Sequence, residues 1–164
     1  MKYLLVLSLV LFIACESTTE KSTAQATAAG KLVAELPGTW ESVSINVAVN
    51  TANNTDSTDQ FIVEEENWQN TLGMQPVKTR FFREGNKYVR EFRNLQGVLA
   101  DTLRGRWNVF GDTLMLIEPT ATYQYVTIFR DGKMELTATV DWDGDGQVDD
   151  DYYAVERKVS NYTD

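Results

Sequence analysis

From Val77 onward the sequence consists almost wholly of short runs in which apolar and polar residues alternate, each ended by a turn signal, and this rhythm restricts the fold more than any other feature. The runs are "VKTRFFRE" (77–84), "KYVREFRNL" (87–95), "VLADTLRGRWNVF" (98–110), "DTLMLIEP" (112–119), "TYQYVTIFR" (122–130), "KMELTATVD" (133–141) and "DYYAVERKVS" (151–160). Between them stand "GN" at 85–86, "QG" at 96–97, "GD" at 111–112 and "DG" at 131–132, the last a strong hairpin signal. Together with "TWESVSINVAV" (39–49) they make eight strands, and consecutive hairpins build a meander. Eight twisted antiparallel strands close most simply into an up-and-down barrel with no exposed edge. The expected fold is therefore an all-β, eight-stranded antiparallel barrel, expected to act as a monomer. After the first strand, "QFIVEEENWQNTLGM" places Phe61, Trp68 and Leu72 at helical spacing with Gly73 as a stop, which predicts a short helix or irregular cover unless "FIV" extends a strand.

At 164 residues and 43% hydrophobic content the chain suffices for one core. Its start, "MKYLLVLSLVLFIA", joins Lys2 to an apolar run too short to span a bilayer and stops before Cys15, the only cysteine. "FIAC" resembles the lipobox of bacterial lipoproteins; an ordinary signal peptide followed by a chance cysteine is the plainer reading. The resemblance implies that residues 1–14 are removed, that Cys15 carries the acyl chains, and that these anchor the protein stably in a membrane. Glu16 follows, and the inner-membrane retention rule of enteric lipoproteins, which depends on aspartate there, gives no reason to keep the protein inside, so an outer-membrane lipoprotein of a bacterial envelope, facing the periplasm or the surface, is expected. Residues 15–35 are Ser, Thr and Ala rich without an aromatic, the composition of a flexible tether. The domain then runs from 36 to 160, with 161–164 as a tail. The net charge of −9 argues against nucleic acid as a partner.

"LPGTW" (36–40) looks like the G-x-W signature that opens the first strand of lipocalins, and "RGRWNVFGDTLMLIEP" is similar to the middle of bacterial lipocalin-like lipoproteins. The resemblance covers about residues 36–160. It implies a calycin-like barrel whose closed end is plugged by Trp40, with Arg157 packed over that ring as a lid, and it implies a carrier of a small apolar or amphipathic ligand. Tyr123, Tyr125, Phe129, Phe81 and Phe92 are the candidate wall of a ligand pocket. If Trp40 points inward, the period of two turns Ser42, Ser44, Asn46 and Ala48 inward as well, and a bulge after Trp40 would reverse this. Eight strands leave room either for one small ligand or for side chains alone, and a filled barrel would be a structural or protein-interaction module. Six arginines, Arg80, Arg83, Arg90, Arg93, Arg104 and Arg106, could in part converge on an anionic head group, but an outer face of cross-strand ion pairs is the stronger expectation.

"DWDGDGQVDD" (141–150) connects the last two strands with more residues than a hairpin needs. It reads D-x-D-x-D-G-x-x-D, with carboxylates at Asp141, Asp143, Asp145 and Asp149, a main-chain oxygen at Gln147, and Gly146 for the reversal. All-oxygen ligands at that spacing suit calcium. Tyr152 stands where an EF-hand has its bidentate glutamate, and the flanks are strands, so the loop resembles the calcium loops of strand-rich extracellular repeats, with Asp150 or Asp151 as a further ligand. A structural ion of millimolar to submillimolar affinity is expected; the alternative is a solvated acidic turn. With no histidine in the chain and its one cysteine assigned to acylation, triads, zinc sites and thiol nucleophiles are excluded, and no enzyme is expected.

Overall fold

The computed structural model describes residues 17–161, the side chains of 17–23 and 53 excepted. The expected signal peptide, Cys15 and residues 162–164 lie outside the described residues. Besides three 3-10 turns, the elements in chain order are α1 (Ser17–Glu35), β1 (Gly38–Val49), β2 (Asp59–Val63), α2 (Trp68–Leu72), β3 (Lys78–Phe81), β4 (Lys87–Arg93), β5 (Leu99–Phe110), β6 (Thr113–Ile117), β7 (Thr122–Arg130), β8 (Lys133–Val140) and β9 (Asp150–Ser160). From β3 to β9 every strand pairs antiparallel with the next, and β1 pairs with both β3 and β9. That closes an eight-stranded antiparallel barrel in meander order. In the two-residue turn Asp131-Gly132, φ of 51° and 74° gives the left-handed pair that a type I′ hairpin demands.

Strand β1 is shared along one edge. Its first residues, Gly38–Glu41, pair with β3, and its last, Ile45–Val49, pair with the extra strand β2. Between β2 and β3 the chain leaves the sheet to form α2, which Gly73 ends in a left-handed conformation with its N–H bonded to Gln69 O. The segment 61–72 thus holds both of the expected alternatives: "FIV" pairs as strand, and Trp68–Leu72 is the helix.

A register shift lies between Ser42 and Ser44 on the β1–β9 ladder. One extra residue inverts the alternation beyond it, so Ile45, Val47 and Val49 turn to the core while Asn46 is exposed. The polar lining expected from an unbroken period of two ends at Ser42.

One end of the barrel is filled by Trp40, Phe81, Tyr88, Trp107, Leu114 and Met134. The Trp40 indole N–H donates to Leu36 O (2.8 Å) and its ring lies 5.6 Å from that of Phe129. The cation over Trp40 is Lys158, with Nζ 5.2 Å from the ring centre, and not Arg157. Register explains the correction: Trp40 pairs with Lys158 and Glu41 with Arg157, so period two turns Arg157 outward, where it bonds Glu41 (2.9 Å) and Glu65 (2.7 Å).

The segment expected as a flexible tether is helical from Ser17 to Glu35. Leu32 and Leu36 are buried in the core, which stabilises the last turn by roughly 2–3 kcal/mol per side chain. Two of its terminal carbonyls are satisfied by cations, Arg83 Nη2 at Ala34 O (3.2 Å) and Lys158 Nζ at Glu35 O (2.7 Å). Among the described residues no helix is long and apolar enough to cross a membrane.

Candidate functional site

Beyond the packed end the lumen opens into a cavity of about 230 Å³. Strand alternation delivers its wall: Ile45 from β1, Phe92 from β4, Leu136 from β8, and Tyr125 and Tyr152 from β7 and β9. Trp68, Leu72 and Met74 of the α2 segment cover it, with Val77 beside them. Ser42, Arg90 and Glu156 add polar groups to this surface, as does the Trp68 indole N–H, which is buried without a hydrogen-bond partner.

Glu156 is the unusual one. It is 7% exposed, and its Oε2 is buried with no hydrogen-bond partner. Burial pushes its carboxyl above the ordinary range, against the opposing attraction of Arg90. Arg90 donates from Nε to Thr79 Oγ1 (3.4 Å), and its field acts on Tyr125 and Tyr152 too, placing a cation among these rings. Desolvation raises the Tyr125 hydroxyl to about 12 and moves that of Tyr152 upward as well. Both phenols are therefore neutral at physiological pH.

Two larger depressions, about 350 Å³ around Val89 and Arg104 and about 380 Å³ around Val126, Thr137 and Tyr153, involve residues that neighbour the inward ones and face out. Neither is lined by a buried, unpartnered side chain of the kind Glu156 supplies.

Of the five residues expected to wall a pocket, Tyr125 and Phe92 line the cavity. Phe81 and Phe129 lie in or against the packed core near Trp40, and Tyr123 sits at the rim, stacked 6.5 Å from Tyr125.

The acidic loop brings together Asp141, Asp143 and Asp150, with carboxylate oxygens within 4.8 Å of one another. Asp150 is 1% exposed and is fixed by main-chain N–H groups of Asn50 (2.8 Å) and Trp142 (2.7 Å). Asp141 accepts from Gly146 N (3.1 Å), and Asp143 from Asp145 N (3.1 Å). The other expected ligands are used differently. Asp145 accepts from Asn54 N (3.0 Å) and Gln147 N (2.8 Å), the Gln147 amide donates to Asn54 (2.9 Å), and Asp149 accepts from Thr51 (2.7 Å). These bonds tie the loop to the turn that follows β1. Three carboxylates held by N–H donors form an all-oxygen donor set, which fits a hard divalent cation. An aromatic chain links loop and lumen: Trp142 lies 5.1 Å from Phe61 and 6.1 Å from Tyr152, which lies 5.7 Å from Tyr125.

No protein-family model matches the chain, and no curated protein matches it. Among solved structures, the crystal structure of the fluorescent protein UnaG wild type is similar over 77% of this chain and 99% of that chain, at 13% identity and a TM-score of 0.38. The barrel is established by its strand pairing.

Sequence reasoning missed Glu156 and the inward aim of Arg90. For Glu156 the signal was present: in "YYAVE" the parity of Tyr152 and Ala154 carries Glu156 to the same face. Arg90 shares its face with Tyr88 and Phe92 by the same count.

Proposed function

We propose that this chain is an exported, lipid-anchored binding barrel of a bacterial envelope, which carries a small apolar or amphipathic molecule in its lumen and a structural calcium ion in the β8–β9 loop. The ligand reading is carried by the cavity: a recess of mixed apolar and polar lining between the strands, covered by the α2 segment. At about 230 Å³ it falls below the ~300–1,000 Å³ typical of drug-sized ligands, so a compact molecule is its cargo. Binding rather than catalysis suits a chain without histidine.

Anchoring rests on "FIAC" and assigns acylation to Cys15. Calcium rests on the Asp141, Asp143 and Asp150 cluster, where an ion would clamp β8 to β9.

Equilibrium dialysis with toluene tests the lumen. Saturable binding that Leu136→Trp abolishes in a folded protein is expected, and absence of saturable binding by the unaltered chain refutes the carrier. For the anchor, labelled palmitate should enter the unaltered chain and not Cys15→Ser, and equal labelling of both would remove the lipoprotein reading.

A further inference from the structure

Resting on the lumenal reading, we propose that the cavity takes a compact, uncharged molecule with a hydroxyl or N–H donor at one end, directed to Glu156, and an apolar body against Ile45, Phe92 and Leu136. Three observations lead there. First, Glu156 Oε2 is buried and unpartnered while lining an open space. Buried acceptors are almost always satisfied, and one left bare on a cavity wall marks where a donor from outside the chain belongs.

Second, Arg90 and Glu156 share this wall, and the carboxyl feels the guanidinium's field. A neutral donor can satisfy the bare oxygen without bringing a further full charge into the lumen, whereas an ammonium ion or a fatty-acid anion would have to bury one. Third, the space is small, and Ile45, Leu72, Phe92 and Leu136 give it apolar wall, with Ser42, the Tyr125 and Tyr152 hydroxyls and the unpartnered Trp68 indole N–H as its other polar groups. At ~30 Å³ per water-sized unit, a molecule of about eight non-hydrogen atoms fits. Phenols, small alcohols and compact N–H heterocycles are the class described.

The test is equilibrium dialysis of the full chain in detergent against detergent alone, with toluene, p-cresol and octanoate as probes. p-Cresol differs from toluene by the hydroxyl alone. A hydrogen bond to the carboxyl should make it at least tenfold tighter. Glu156→Leu should erase that preference while toluene still binds, and Glu156→Gln, whose amide oxygen still accepts, should keep most of it. Equal affinities for toluene and p-cresol in the unaltered chain would overturn the proposal and leave a lumenal carrier standing, as would octanoate binding more tightly than p-cresol. Failure of all three probes to bind would overturn both.

Discussion

Gly105 lies in the middle of β5, opposite Tyr88 on β4, at a position where a strand ordinarily avoids glycine. A Cβ there would stand 2.5 Å from the main-chain oxygen of Ile117 and 2.6 and 2.9 Å from two atoms of the Tyr88 ring. Neither neighbour can yield cheaply. Ile117 ends β6 and is paired with Arg106 of β5 and Thr122 of β7, and Tyr88 is fully buried with its hydroxyl donating to Glu118 (2.8 Å). Overpacking of this kind costs about 1–3 kcal/mol, and straining the Tyr88–Glu118 bond adds about 1 kcal/mol. Gly105→Ala should therefore destabilise the fold by about 2–4 kcal/mol. For a chain of this length that lowers Tm by roughly 5–15 °C. Urea unfolding followed by tryptophan fluorescence measures it, and the midpoint should fall at unchanged slope. Removing the ring in Gly105→Ala/Tyr88→Leu should recover about 1 kcal/mol relative to additivity, because the two residues touch. A single-variant loss under about 0.5 kcal/mol, or strict additivity in the pair, would refute the claim that this strand carries glycine to make room for Tyr88.

Glu156→Gln separates burial from titration. The folded carboxyl is raised above its ordinary 4.5, so the folded state keeps a proton that the unfolded chain has lost; stability drains away as pH rises from that value through the raised one. The amide cannot titrate, so the variant should gain on the unaltered protein as pH rises above the ordinary 4.5, and a difference flat with pH would sink the assignment. In the acidic loop, Asp150→Asn should cost roughly 2–3 kcal/mol even with chelator, because the carboxylate accepts from both Asn50 N and Trp142 N and an amide nitrogen cannot. Asp143→Asn should cost little in chelator but remove the rise of roughly 3–10 °C expected in 10 mM calcium from a site of 10⁻⁴ to 10⁻³ M; a full rise in that variant places the ion elsewhere. Lys158→Met should lower stability by about 1–2 kcal/mol and expose α1 to protease, since Nζ both caps Glu35 O and lies over Trp40. Unchanged protease sensitivity would detach α1 from that contact.

The barrel was legible in the sequence because its signals are local. Alternation over four to twelve residues and turn pairs such as Asp131-Gly132 act between neighbours in the chain, so each hairpin can be recognised without knowing the rest. The helix α1 was not, because low aromatic content says only that a segment cannot fold alone. Here Leu32 and Leu36 lean on a core built elsewhere, and the alanines between Ala24 and Ala34 then favour helix.

The candidate site was half legible for a similar reason. Parity assigns Tyr125, Phe92 and Glu156 to the inner face, but it is blind to depth: Phe81 and Phe129 share that face and were spent on packing around Trp40. It is also reset by a single residue. Nothing in "TWESVSINVAV" announces the irregularity between Ser42 and Ser44, because it is imposed by β1 having to pair with β9 on one edge and with β3 and then β2 on the other. That one step exchanges a polar lining of Ser44, Asn46 and Ala48 for Ile45, Val47 and Val49. The shift carries the Ser44 hydroxyl and the Asn46 amide off the inner face. With the apolar lining, the carboxyl is left with an unmatched oxygen over an open space, so the bulge on β1 is what gives the lumen its chemistry.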